Sequence, residues 1–254
     1  LFMTETARFA DVVLPSACYA EKDGTFTNSE RRVQRVRKAV EPPGQAWDDW
    51  KIFCDIATRM NYPMKYENSR QIMEEISRVT PSYAGINYDR IEYEGIHWPC
   101  PTTEHPGTPI LHREQFTCGK GNFIAIDYLP PAEMADDEYP MYLTTGRLLY
   151  HYHTGTMTMK TQGLNEIAPE CFVEITPKDA SKYDMSDGSL VDIASRRGKI
   201  QARIKVSKKA VSGTIFIPFH YALAAANRLT NAALDPISGI PEYKVCAVKL
   251  TKAA

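Results

Sequence analysis

From Trp47 to Met60 the apolar residues Trp47, Trp50, Ile52, Phe53, Ile56, Ala57 and Met60 recur largely at intervals of three and four. This spacing predicts an amphipathic helix, with Asp48 and Asp49 in the first turn where the helix dipole favours negative charge. A second helix is predicted over Ser69 to Val79, with Ile72, Ile76 and Val79 on one face and Ser69 as its N-cap. Both stripes read as core. Upstream, Ala10 to Pro15 (ADVVLP) is a short apolar run closed by proline, the pattern of a buried strand ending at a turn. In the following EKDGTFTNSERRVQRVRKAVEPPG, Gly24 marks a turn, and the arginines sit in an extended, solvated edge that ends at Pro42 and Pro43.

Residues 80–135 are rich in Pro, Gly and Tyr with little periodicity. They predict irregular chain with one or two short strands, for example Asn122 to Tyr128 (NFIAIDY). So long an irregular stretch is unusual in a self-contained domain and reads as a connection wrapped on other parts of a protein. After Pro140 the texture changes to short alternating runs, MYLTTG, FVEITP, LVDIAS, KIQARIKV and GTIFIPF, punctuated by Gly and Pro. One helical stretch, Pro177 to Tyr183, is inserted among them, and turns fall at Asp187-Gly188 and Arg197-Gly198. A compact β-barrel accommodates this pattern better than a sandwich.

The 254 residues suffice for one large or two ordinary domains, and a net charge of -1 provides no global field for nucleic acid or an anionic membrane. Any anionic ligand must be held by local groups. The six cysteines are far apart, without CxxC or zinc-type spacing. They read as reduced structural thiols, which suits an intracellular, cytoplasmic protein. No run approaches a membrane span. Because the sequence starts at Leu1 inside a structured-looking stretch, the expectation is that the true N-terminus precedes it.

Two stretches carry candidate chemistry. Thr144 to Thr158 (TTGRLLYHYHTGTMT) concentrates glycines, threonines, histidines and Arg147 directly after a predicted strand. Glycine lets a backbone approach a ligand closely, hydroxyls and backbone N–H groups donate to phosphate oxygens, and an arginine adds a charged fork. A plain polar loop has the same composition, and His151 and His153 are more simply hydrogen-bonding residues than metal ligands. The second stretch, Pro218 to Lys244, continues from a strand into a helical AxxxAN run. There Asn227 can offer an amide to a purine or pterin edge and Lys244 can meet a phosphate, or the two can be a helix cap and a surface charge.

Taken together, ADVVLP, E(x)2G(T)F, QRVRKAVEP, DW(x)I(x)3IATRMNYP, IHWPCP, EYPMYLTTGR and DPIS(x)2PEYK(x)CAV resemble, in order, the C-terminal portion of the molybdenum or tungsten enzymes that carry two molybdopterin guanine dinucleotides. Formate dehydrogenase catalytic subunits are the most similar branch. The resemblance implies an α/β mixed segment followed by a double-psi β-barrel, the molybdopterin dinucleotide-binding domain. Residues 1–135 would be the C-terminal part of the α/β domains, incomplete alone, and residues 136–254 the barrel. It further implies cofactor contacts at Thr145, Gly146, Arg147, Leu148, His151, His153, Thr154, Gly155, Thr156, Asn227, Tyr243 and Lys244, with Phe219 towards the substrate side.

No catalytic residue and no metal ligand is implied within this chain. The family's cluster-binding cysteines and its metal-ligating Cys or selenocysteine have no counterpart here, so the chain is expected to be a fragment or one half of a split subunit, inactive alone. The implied cofactors are bis-molybdopterin guanine dinucleotide with Mo or W, and a 4Fe-4S cluster in the N-terminal part. The implied partners are that N-terminal part, an electron-transfer subunit carrying iron–sulfur or flavin, and formate or CO2 as substrate, with no nucleic acid. Two other readings stay open: another oxidoreductase of the family, such as a nitrate reductase, or a non-enzymatic double-psi barrel that binds a protein partner.

Overall fold

Residues 1–253 are described by a computed structural model, in which the chain forms two compact units, Met3–Ile124 and the residues from Ala125 onward. The first unit is built on a small antiparallel sheet. Strand β1 (Gly24–Thr27) pairs with β2 (Arg32–Val36), and β2 with the short β3 (Ile96–His97). Gly24 therefore lies inside a strand and not at the turn expected there. The reversal falls at Asn28 to Arg31, where the Asn28 side chain accepts from the backbone N–H groups of Glu30 (2.9 Å) and Arg32 (3.0 Å), and Arg31 takes the left-handed conformation. Short polar side chains stabilise such reversals by replacing the missing ladder bonds.

Helix α1 (Asp49–Arg59) and helix α2 (Ser69–Val79) occupy the expected positions. The cap of α2 is Asn68 and not Ser69, since the Asn68 side chain accepts from the Gln71 N–H. The stripes depart from expectation. α1 buries no residue, and Trp47, Phe53, Ile56 and Met60 are exposed. On α2 only Met73 is buried. The core of this unit consists instead of Val33, Met73, Ile86, Tyr88, Ile91, Ile96 and Cys100, packed with Tyr83 and Trp98.

Arginines knit the irregular chain to this core. Arg31 donates to the carbonyls of Trp98, Thr108 (3.0 Å) and Pro109 (2.9 Å), and Arg90 donates to His105 O at 2.7 Å. Loop carbonyls without a ladder are satisfied in this way. ADVVLP and NFIAIDY are not strands: residues 10–15 and 122–128 pair with nothing in a sheet, and Val12, Val13, Leu14, Phe123, Ile124 and Ile126 are exposed. An apolar run becomes a strand only beside a neighbour that pairs along its length; among the described residues the first run is met only at its end, where Pro15 O accepts from Trp47 N–H at 3.1 Å, and the second joins no ladder.

The second unit is a closed, mixed six-stranded barrel of the expected double-psi class, with strand order β4-β8-β5-β7-β6-β9. The strands are β4 (Met141–Gly146), β5 (Phe172–Ile175), β6 (Leu190–Ala194), β7 (Lys199–Val206), β8 (Thr214–Pro218) and β9 (Cys246–Lys252). In β7 Ile200, Ala202 and Ile204 point inward while Gln201, Arg203 and Lys205 face water, so the two-residue alternation alone sorts the faces. Met141, Leu143, Val173, Ile175, Val191, Ile193, Ile215, Ile217 and Val248 fill the interior. β9, which the alternation argument passed over, closes the barrel between β4 and β6.

Helix α3 (Gln162–Ile167) is a further element, and α4 (Pro177–Lys182) fills the expected helical insertion. The run after β8 is not an α-helix. It forms two single 3-10 turns, Ala222–Ala224 and Ala226–Arg228, because the interior takes up Ala224, Ala226 and Leu229 and no continuous helical face is left.

Candidate functional site

Strand register determines which loops can meet. Parallel pairing sets Gly146 of β4 beside Pro218 of β8, and antiparallel pairing sets Leu143 beside Cys246 of β9. Ala194 of β6 lies beside Lys199 of β7 and Lys249 of β9. The connections 147–171, 195–198 and 219–245 therefore leave from one end of the barrel. All the candidate residues from Gly146 to Thr156, together with Phe219, Asn227, Tyr243 and Lys244, belong to that end.

Direct contacts join the two long loops. The Thr145 hydroxyl is buried and donates to the Tyr243 carbonyl at 3.0 Å, while Lys244 Nζ donates to the Thr145 carbonyl at 3.1 Å. The Arg147 guanidinium lies 6.0 Å from the centre of the Phe219 ring. Leu148 N–H donates to His220 Nε2 at 2.7 Å, and the His220 Nδ1 atom meets the His153 carbonyl. Gly146 permits a close approach, since a Cβ there would come within 2.4 Å of the Phe216 ring. Gly155 sits at a φ of +72° and turns the loop back on itself.

The candidates divide by accessibility. Arg147, His153, Thr154, Thr156, Asn227, Tyr243 and Lys244 are exposed. Thr145, His151 and Gly155 are buried. The His151 ring faces the interior: Nε2 lies 2.8 Å from the Ala168 carbonyl and Nδ1 lies 3.2 Å from the Thr158 hydroxyl. A carbonyl only accepts, so Nε2 carries the proton and the hydroxyl donates to Nδ1. The His151 side chain thus supports the loop from beneath. Asn227 is set apart from the Thr145–Lys244 contacts. Its turn is fixed from the β6–β7 reversal, where Arg197 Nε donates to Leu229 O at 3.0 Å.

Sequence reasoning missed the group at the centre of the loops. His220, 2% exposed, links both sides of the 148–153 segment, and beside it the Tyr221 hydroxyl donates to Ala168 O at 3.0 Å. The only signal was a histidine directly after an apolar strand, in PFHY, which has no diagnostic spacing. Burial holds the His220 pKa below its ordinary value, and neighbouring His151, Arg147 and His153 oppose a further positive charge, although the His153 carbonyl works the other way. Two thiols at this end, Cys171 and Cys246, are pushed up by burial to about 12 and about 11, so neither is a ready nucleophile.

These groups suit an anion. Among the described residues neither Arg147 nor Lys244 has a carboxylate partner, and the Lys244 ammonium retains donors beyond the one it gives to Thr145 O. By contrast Arg196 and Arg197, beside a shallow cleft of 420 Å³, are already paired with Glu133 and Asp136. Among the described residues no group of three or more His, Cys, Asp or Glu side chains is placed to hold a metal ion.

The long loops of this closed double-psi barrel present cations without a carboxylate partner among the described residues, and residues 141–247 match the family described as molydopterin dinucleotide binding domain. Residues 1–59 match the family described as molybdopterin oxidoreductase. The chain thus carries, in order, a molybdopterin oxidoreductase match and a molydopterin dinucleotide-binding match.

It is 50% identical over 256 residues to the F420-dependent formate dehydrogenase 1 subunit alpha of Methanococcus maripaludis, an alignment that covers 99% of this chain and 38% of that protein. It is 41% identical to the assimilatory nitrate reductase catalytic subunit of Bacillus subtilis, over 98% of this chain and 37% of that one. Among solved structures, acetylene hydratase from Pelobacter acetylenicus has the same fold, with a TM-score of 0.74 at 18% identity, covering 99% of this chain and 39% of its own. The chain thus spans less than two fifths of the length of these proteins.

Proposed function

We propose that this chain is the C-terminal portion of a formate dehydrogenase catalytic subunit, in which its barrel binds molybdopterin guanine dinucleotide. The observation that carries the reading is the meeting of Thr145, Arg147, Tyr243 and Lys244 at the loop-bearing end of the barrel. A pyrophosphate drawn out of water needs N–H donors and cations close by, and a nearly neutral protein must supply them locally. Residues 1–135 belong, in this reading, to the α/β domains completed by the rest of the subunit. The remaining subunit contributes the metal ligand and a 4Fe-4S cluster, and electrons pass to a partner carrying iron–sulfur or flavin in the cytoplasm.

When bound, the metal-pterin group supplies two-electron chemistry between formate and CO2, with Mo or W at its centre. This chain's residues bind and orient it. Arg147 and Lys244 would meet phosphate, the exposed threonines Thr154 and Thr156 would donate hydroxyls, and Asn227 would address the edge of a base or pterin. Phe219, stacked near Arg147, would lie towards the substrate side.

The test is bound pterin per folded protein in the complete subunit. Arg147→Ala is expected to lower affinity about ten- to a hundredfold, the equivalent of roughly 1.5 to 3 kcal/mol for one charged hydrogen bond. Lys244→Ala should act in the same direction, and folding should be nearly unchanged in both. Full pterin occupancy in both variants would sink the assignment. The nitrate reductase relative favours a second reading in which the reducible substrate is nitrate. Assay of the complete enzyme with formate and with nitrate separates the two.

A further inference from the structure

Both ring nitrogens of His220 are committed, and each to a different side of the loop that follows β4. Nε2 accepts from Leu148 N–H at 2.7 Å, so in the neutral ring the proton resides on Nδ1, which donates to the His153 carbonyl. One side chain from the end of β8 therefore fixes two backbone groups that bracket His151, in the loop that carries Arg147 and Thr154. Beneath it lies a second layer. His151 is 6.0 Å and Tyr221 6.3 Å from the His220 ring, and both donate to the same Ala168 carbonyl. The groups facing His220 are Arg147 and His153 from the loop, His151 from below and Tyr221 from its own strand end, so among the described residues no carboxylate stands by to favour an imidazolium.

We propose that His220 is a positioning residue: as the neutral Nδ1–H tautomer it clamps residues 148–153 and thereby sets Arg147 and the N–H groups of this loop for the dinucleotide. This rests on the reading of the barrel end as the dinucleotide site. A protonated ring has two donors and no acceptor, so it would meet Leu148 N–H with like polarity. The clamp is therefore available only to the neutral ring, and low pH should open it.

The test compares three variants in the complete catalytic subunit. His220→Gln places an acceptor where Nε2 stood, His220→Asn keeps a donor where Nδ1 stood, and His220→Phe keeps the ring volume with neither. Pterin release rate is measured as pH falls from about 8 to about 5, together with hydrogen–deuterium exchange of residues 148–153. His220→Phe should release pterin about ten- to a hundredfold faster at neutral pH, with Gln and Asn in between. Wild type should release faster as the ring protonates, and none of the variants should retain that acid step.

Unchanged release and unchanged exchange in His220→Phe, or an acid step that survives in His220→Gln, would overturn the proposal. A wild-type subunit without pterin would overturn the dinucleotide reading instead. In that event exchange of residues 148–153 still decides the clamp: faster exchange in His220→Phe than in wild type supports it, and equal exchange refutes it.

Discussion

The two ends of the barrel use the same strands for opposite purposes. At one end the connections are shorter and hold a buried polar cluster turned on itself. The buried Asp179 carboxylate accepts from the Thr176 hydroxyl (2.6 Å), the Ser212 hydroxyl (3.1 Å) and Gly213 N–H (3.1 Å), while Thr176 caps helix α4 by accepting from Asp179 N–H. At the other end the connections 147–171 and 219–245 are long, and Arg147, Asn227 and Lys244 remain exposed without carboxylate partners among the described residues. A polar group that is saturated by its own chain adds stability, whereas one held in place but unsaturated is available to a ligand. Asp179 is of the first kind, and Arg147 and Lys244, at the opposite end, are of the second.

Breaking the saturated end should have the largest effect on stability. Asp179→Ala leaves a capped helix and the 212–213 turn without their common acceptor, and is expected to cost about 2 to 4 kcal/mol by denaturant unfolding of the complete subunit. Pterin per folded molecule should not change. Loss of pterin from the folded fraction would show that the two ends are not independent.

A smaller effect is expected at the loop end from Gly155→Ala. At a φ of +72° an L residue is strained by about 1 to 2 kcal/mol, and the new Cβ would press on the flexible Met159 side chain at 2.8 Å. Here pterin retention should suffer more than unfolding free energy. An Ala variant with wild-type retention would argue that the reversal at residue 155 is incidental to binding.

The mildest test uses pH to separate the ends. His220 has its folded pKa below the ordinary 6.5, so its stabilisation is complete above about 6.5 and is lost as pH falls from there towards the folded value. Asp179 has its folded pKa below the ordinary 3.8, despite burial, because hydroxyl and N–H donors favour the carboxylate. Its contribution persists to lower pH and is lost as pH falls from about 3.8 through the folded value. Residues 148–153 should therefore lose exchange protection on acidification before residues 176–180 and 212–213 do. The reverse order would contradict the assignment of the neutral ring to the loop clamp.

How far the sequence could be read follows the same division. β7 was legible because each of its side chains answers to a single interior, so alternation survives in KIQARIKV. ADVVLP and NFIAIDY carried strand-like patterns but remain exposed, because a strand also requires a partner and hydrophobicity alone cannot indicate where that partner lies. The helix over Asp49–Arg59 was legible as a helix, yet its apolar stripe proved to be unburied in this chain. At the site, glycines, threonines and Arg147 were legible from their density in one loop. His220 was not, because its role depends on residues brought to it by the pairing of β4 with β8 rather than by proximity in sequence.

The place of β9 in the barrel has a consequence for when the site can exist. Among the described residues β4 finds its neighbours only in β8 and β9, and β9 alone bridges β4 to β6. Pairings between segments so distant in sequence form slowly, since chain entropy is lost before the contacts reward it. As the polypeptide emerges during synthesis, the first half of the barrel must wait with unpaired edges until residues 246–252 arrive. Thr145 meets Tyr243 and Lys244 only after that closing step. On the proposed reading, a dinucleotide can be retained only by chains that have completed the barrel.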